Sequence, residues 1–279
     1  MPFTSSFIVH RSYFILALMR RFYAPPEDFD TDAARVSLSR EETQHLTGVL
    51  RLGAGAEVQV FDGEGREFLC VVTADARRGM ERATLEVRAA VEPPSAESLL
   101  ELTLYVALLK GEKFDTVVQK ATELGATRVV PVETARADVR LPRAERADAA
   151  AKRVARWQRI AVEAAKQSGR ARVPAVVAPE SLADALARGS AGGTSETSRR
   201  LIFSEHGGRG LVETVAAWDV RRARVAALVG PEGGWEDAEL EQARAAGWQV
   251  VTLGGRTLRA ETAALVACAL LQHLCGDLI

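Results

Sequence analysis

The sequence predicts an α/β chain of two domains: a small β-rich one, then a larger one whose parallel sheet is covered by helices. Three observations carry this. Residues 20–91 read as short strands separated by glycine turns. Residues 101–279 alternate apolar runs of strand length with helical patterns. Between them, Pro93-Pro94-Ser95 interrupts both patterns, and 279 residues suffice for two domains.

In the first part, Arg35 to Leu38 is a short strand, and Ser39 ahead of Glu41 and Glu42 starts a helix running to about Leu50. Val58 to Phe61 alternates as a strand, and Asp62-Gly63 with Gly65 signals a hairpin. Phe68 to Thr73 and Ala83 to Val91 add two strands, so a small barrel is expected. In the second part, Leu102 to Leu109 is a strand and Lys110 to Phe114 leads into a helix through Leu124. Arg128 to Val132 is a strand, residues 149–168 form a long helix, and Val173 to Val177 is extended. Residues 190–199 read as a flexible polar loop. Leu201 to Phe203, Val225 to Val229 and Val250 to Leu253 are strands, each running into glycines. A helix with Glu236, Asp237 and Glu239 in its first turn suits the dipole and ends at Gly247, and a last helix spans Ala263 to about Leu274.

Composition excludes several classes. With 36 basic and 37 acidic residues, any nucleic-acid contact must come from a local patch. Cys70, Cys268 and Cys275 have no paired or metal-like spacing, and His10, His45, His206 and His273 are scattered, so no metal is expected. Buried free thiols favour a reducing, cytoplasmic setting. No apolar run approaches the length of a membrane span. Tyr13 to Met19 is too short for one and lacks a cleavage site, and Arg20-Arg21-Phe22-Tyr23 after Met19 looks like a fresh start. Residues 1–18 are therefore expected to be a poorly ordered extension or a mis-called start.

Three stretches stand out for chemistry. The glycine loops Ser204–Gly208, Gly230–Gly234 and Gly254–Glu261 each follow a strand. Any one of them is explained by a tight turn; three in one domain point to a cleft outside the carboxyl ends of the strands. They carry no dinucleotide or phosphate-loop fingerprint, and Pro231 removes a donor a phosphate cradle would use, so a ligand with a neutral base and thioether fits better. The second stretch, Arg140 to Arg172, holds ten basic residues against Glu145, Asp148 and Glu163. Its apolar stripe of Trp157, Ile160, Ala161 and Ala164 leaves Lys152, Arg156, Arg159 and Lys166 on other faces, as a solvated helix or a phosphate-backbone binder would. The third is Arg256, Arg259 and Glu261, a helix cap or a cation and a carboxylate at the cleft mouth.

LVGPEGGW (Leu228–Trp235) followed by LGGRTLRAETAAL (Leu253–Leu265) resembles the RsmE family, the 16S ribosomal RNA uridine N3-methyltransferases of the SPOUT class. KGEKFDTVVQKATELG (Lys110–Gly125), EAAKQSGR (Glu163–Arg170), the RRFY at Arg20–Tyr23, and HLTGVLRLGAG with FDGEG (His45–Gly65) resemble further motifs of that family. The likeness runs from about residue 19 to the end. It implies a PUA-like RNA-binding barrel at 19–92, a linker at 93–100, and a SPOUT methyltransferase domain at 101–279 with a deep trefoil knot, a feature rare enough that spacing alone argues against it.

The resemblance implies S-adenosyl-L-methionine at Leu228, Gly230, Pro231, Gly233, Leu253, Gly254, Leu258, Arg259, Thr262 and Ala263. It also implies a homodimer acting on 16S rRNA or the small ribosomal subunit. Removing the N3 proton and stabilising charge on the uracil carbonyls calls for an arginine and a carboxylate: Arg259, with Glu232 or Glu261. RNA is expected to meet Arg21, Arg51, Lys110, Lys113, Arg136, Arg156, Arg159, Lys166 and Arg170. Gly255 and Thr257 receive no chemical role. The alternatives are another SPOUT enzyme, modifying a ribose hydroxyl or a tRNA base, and a non-catalytic RNA-binding protein on the same fold. The segment TLRAETAAL stands where ribose methyltransferases carry asparagine and serine, and counts against the first.

Overall fold

The computed structural model describes residues 20–74, 76, 79–137, 146–191, 198–216, 218 and 224–278. The expected N-terminal extension, Arg140, Arg143 and Glu145 of the basic segment, and residues 192–197 lie outside the described residues. The chain divides into two compact units, Met1–Glu97 with Ala165–Val173, and Ser98–Ala164 with Pro174–Ile279.

The first unit holds β1 (Arg21–Tyr23), β2 (Phe29–Asp30), β3 (Arg35–Ser37), α1 (Arg40–Gln44), β4 (Glu57–Phe61), β5 (Glu67–Val72) and β6 (Thr84–Val91). These strands form one sheet in the order β1-β4-β5-β6-β3-β2. Apolar positions from β1, β3, β4, β5 and β6, namely Phe22, Val36, Val58, Val60, Cys70 and Leu85, meet in its core. Ser39 caps α1 by accepting from Glu42 N at 3.2 Å. The helix then passes into a π-helical turn, His45–Val49, rather than running on regularly to Leu50. The short strands β1 and β2 have too few residues to show a period.

The second unit holds β7 (Glu101–Ala107), α2 (Lys113–Glu123), β8 (Arg128–Glu133), α3 (Arg146–Ser168), β9 (Ala175–Val176), β10 (Glu180–Ser181), α4 (Leu182–Ala191), β11 (Ser198–Phe203), β12 (Arg209–Gly210), α5 (Leu211–Val215), β13 (Arg224–Val229), α6 (Asp237–Ala245), β14 (Gln249–Thr252) and α7 (Ala260–Cys275). The residues of α3 from Ala165 onward group with the first unit. The sheet order is β10-β8-β7-β13-β11-β14-β12, with β9 beside β8, and every pairing is parallel. β13 is buried over Val225–Val229, as a central strand covered on both faces must be. Trp157 lies on the buried side of α3, stacked on Phe114 of α2 at 4.4 Å, with its Nε1 donating to Asp115 Oδ1 at 3.0 Å. The polar stretch expected to be a loop over 190–199 is shorter than that: Ser190 and Ala191 continue α4, and Ser198 and Arg199 begin β11. Cys70, Cys268 and Cys275 are free and buried. Among the described residues no helix is long and apolar enough to cross a membrane.

Candidate active site

β13, β11 and β14 lie side by side and point the same way, so the loops that leave them emerge at one edge of the sheet. All three loops line one cavity of about 300 Å³. Phe203 to His206 come from the β11 loop, Val229 to Trp235 from the β13 loop, and Thr252 to Gly254 with Arg256 to Leu258 from the β14 loop. Ala260 and Ala263 of α7, Asp237 and Leu240 of α6, and Arg136 after β8 complete the wall.

Close packing explains the glycines. A Cβ on Gly230 would lie 2.8 Å from Trp235 Cε2, so only glycine lets the indole rest on the strand end. Trp235 in turn donates its Nε1 hydrogen to Phe203 O at 2.8 Å, tying the β13 loop to the β11 loop. Gly254 takes φ 120°, a conformation L side chains rarely adopt. Arg136 is fixed from two sides. Its Nη1 donates to Gly233 O at 3.2 Å, and the preceding Ala135 N donates to Glu239 Oε1 at 2.9 Å. Glu239 also accepts from Glu236 N at 3.0 Å, closing the first turn of α6.

A group of alternating charge stands beside the cavity. Lys113 Nζ donates to Glu232 Oε1, and Glu232 lines the wall. The Glu232 hydrogen bond, aided by the charges of Glu232 and Glu261, raises the Lys113 ammonium above the usual lysine range; the Arg259 charge opposes it. One carboxylate oxygen of Glu261, Oε2, is buried and has no hydrogen-bond partner among the described residues. Arg259 is the residue before the first turn of α7, where Ala263 N donates to its carbonyl at 2.8 Å, and its side chain is exposed.

The expected cofactor residues thus separate. Gly230, Pro231, Gly233, Leu253, Gly254, Leu258 and Ala263 line the cavity. Leu228 does not: its side chain is fully buried in the core of the sheet. Arg259 and Thr262 are exposed and do not line it either. Sequence reasoning missed Trp235, Asp237 and Leu240 as wall residues, although the glycine beside Trp235 was visible; Arg256, read as a cation at the cleft mouth, lines the cavity, and so does Thr257, which was given no role.

The expected RNA residues separate too. Arg51, Lys110, Arg136 and Arg159 are exposed, and Arg156 pairs with Asp115 while remaining largely exposed. Three of the nine are held by partners within the first unit. Arg21 holds Glu67 through two bonds of 2.8 Å and donates to the carbonyls of Ala165, Lys166 and Arg170, where α3 ends. Lys166 pairs with Glu42 at 2.5 Å, and Arg170 with Glu97 at 2.6 Å. Each is an interior pair of the first unit, so its charge serves folding.

The cavity fits S-adenosylmethionine. Leu253, Leu258, Pro231 and Ala263 offer apolar walls for a neutral base and thioether, while Glu205 and Asp237 with Arg136 and Arg256 offer both signs for a zwitterionic amino acid. Among the described residues no group of three or more His, Cys, Asp or Glu side chains could hold a metal ion.

An open parallel sheet with its cavity at the strand ends, built from glycine loops, defines an α/β protein that binds its ligand at the carboxyl edge of the sheet. Comparison narrows the class: residues 96–272 match the RNA methyltransferase domain family, and residues 38–80 match the RNA methyltransferase PUA domain. The chain is 33% identical to the ribosomal RNA small subunit methyltransferase E of Synechocystis sp., over 94% of this chain and 80% of that one. It is 29% identical to the protein of the same name from Bacillus subtilis, over 87% and 91% of the two. Its fold matches the ribosomal RNA small subunit methyltransferase E of Neisseria gonorrhoeae bound to S-adenosyl methionine, with a TM-score of 0.77, 35% identity, and coverage of 94% and 100%. A Legionella pneumophila protein solved with the bound cofactor SAM matches with a TM-score of 0.78 and 28% identity, over 93% and 99% of the two chains. The chain belongs to the RsmE family of RNA methyltransferases, with a PUA-like unit ahead of a SPOUT unit.

Proposed function

We propose that this protein methylates N3 of a uridine in 16S rRNA, using S-adenosyl-L-methionine and acting as a homodimer. The observation that carries the reading is the convergence of three glycine loops on one cavity, in a chain whose similar structures include one bound to the same cofactor. The cofactor supplies an activated methyl group. Gly230, Pro231, Gly233, Leu253, Gly254, Leu258 and Ala263 would hold it, and Trp235 fixes the shape of its loop.

The remaining chemistry falls to side chains beside the cavity. Glu232 is the carboxylate on the wall, and we assign it the N3 proton; Lys113 orients it. Arg259, at the head of α7 near the same ammonium, stabilises negative charge on the uracil carbonyls, a task suited to a planar fork that stays charged. Arg136 and the exposed Arg51, Lys110 and Arg159 supply contacts to RNA phosphates.

The homodimer has support of its own: Val266, Ala269 and Leu270 of α7 are only partly buried and lie one turn apart, which leaves an apolar stripe for a second copy. The test of activity is transfer of labelled methyl from S-adenosylmethionine to small ribosomal subunits, followed by nucleoside analysis. Label in 3-methyluridine is expected. Label in a ribose-methylated nucleoside, or none with active cofactor binding, contradicts the assignment.

A further inference from the structure

A second hollow of the C-terminal unit, about 620 Å³, lies along the far edge of the sheet, where β12 and β14 end the strand order. Arg199, Arg209 and Arg244 line it, with Glu213 as its acidic member. Its aromatic member is Trp218, over whose ring the Arg199 guanidinium stands at 5.7 Å. β12 pairs only with Val251 and Thr252 of β14, so Gln249 and Val250 line the hollow beyond the reach of that strand.

We propose that this groove docks a single-stranded stretch of the RNA substrate, a reading that rests on the RNA methyltransferase assignment above. The arginines would take phosphates, and the Trp218–Arg199 pair would take a base by stacking. The Arg209 pair with Glu213 at 3.3 Å is between groups that are 76% and 66% exposed, so little stability goes when a phosphate replaces the carboxylate. Arg244 likewise pairs only at the surface, with Glu241 at 2.6 Å. Charged side chains also guard a sheet edge against pairing with another strand. A tryptophan stacked under one of those charges serves no such purpose, and the open edge is too short to favour an added strand.

The groove is joined to the cofactor cavity by a single loop. Ser204 to His206 face the cavity, while Gly207 and Gly208 line the groove. A Cβ on Gly208 would lie 2.8 Å from the Val251 backbone carbon, so the loop is pressed against β14 between the two hollows. RNA held in the groove therefore rests on the segment that forms one wall of the donor site.

The test compares wild type with Arg209→Gln/Arg244→Gln and with Trp218→Leu. A double variant of equal charge change elsewhere on the unit, Arg188→Gln/Arg224→Gln, is the control. The probe is a fluorescein-labelled single-stranded oligouridylate, read by anisotropy across a salt series. The arginine variant is expected to bind about tenfold more weakly. Its slope of log affinity against log salt should fall by about 1.4, roughly 0.7 for each phosphate that is no longer neutralised. Trp218→Leu should weaken binding with the slope unchanged. S-adenosylmethionine affinity by calorimetry should stay at the wild-type value in both, and KM for rRNA should rise at constant kcat. Wild-type affinity and slope in the groove variants, or equal weakening in the control, overturn the groove. If substitution weakens the oligouridylate but wild type transfers no methyl to rRNA, the groove stands and the catalytic reading fails.

Discussion

Replacing Gly230 by alanine adds one methyl at the point where the donor site is most tightly built. The new carbon would fall 2.8 Å from Trp235 Cε2 and 2.9 Å from its Nε1, well inside contact distance. The indole must move, and its 2.8 Å bond to Phe203 O goes with it. Overpacking of this kind costs about 1–3 kcal/mol. The broken hydrogen bond adds about 1 kcal/mol, for a total near 3 kcal/mol. For a unit of this size that lowers the melting temperature by roughly 6–12 °C. Because Trp235 lines the cavity, cofactor affinity should fall by about tenfold or more, as a loss of about 1.4 kcal/mol in the site would give. The assay pairs scanning calorimetry with isothermal titration of S-adenosylhomocysteine. Gly255→Ala is the internal control: nothing lies within 4 Å of its added carbon. Equal melting temperatures and affinities in the two variants would refute the packing argument.

Other perturbations separate chemistry from stability. Glu232→Gln should lower kcat by about 10²–10⁴ while cofactor affinity by calorimetry holds; an active variant would move the proton to Glu261, whose Oε2 has no partner among the described residues. Arg259→Ala should lower kcat by about 10²–10³ with cofactor binding intact, because its side chain lies off the cavity wall. Arg21→Ala should cost about 3–5 kcal/mol in urea unfolding, since it strands Glu67, whose side chain is fully buried; a small change with weakened RNA binding would restore it as an RNA contact. Burial pushes the Cys70 and Cys268 thiols up to about 12. Both should remain protonated and unreactive towards Ellman's reagent at pH 8 in the native protein, and rapid labelling of either would contradict their burial.

The donor site was readable from the sequence because its parts are local. Each of β11, β13 and β14 is an apolar run that ends in glycines, and each strand end and its loop are neighbours in the chain. That they share one edge follows from parallel pairing, which the strand and helix alternation already implied. The misreadings came from distant partners. Arg21, Lys166 and Arg170 looked like free cations because Glu67, Glu42 and Glu97 lie 46, 124 and 73 residues away. Leu228 sits in a ligand motif, and the two-residue period of a strand turns its side chain into the core, so only its backbone could meet a ligand. The strands β1, β2, β10 and β12 have two or three residues each, too few for a period to be seen. Helix α4 (Leu182–Ala191) escaped notice, and its last two residues fell in the stretch read as loop; Gly189 is there because a Cβ would lie 2.4 Å from Trp248 Cζ2.

Methylation of uridine N3 in the small-subunit RNA can be read by reverse transcription across that RNA from cells with and without the gene. A methyl on N3 removes the donor that pairs with adenine, so copying stalls at the modified base. One strong stop is expected, which vanishes on deletion, returns with the intact gene, and fails to return with Glu232→Gln. An identical stop pattern in the deletion strain would contradict it.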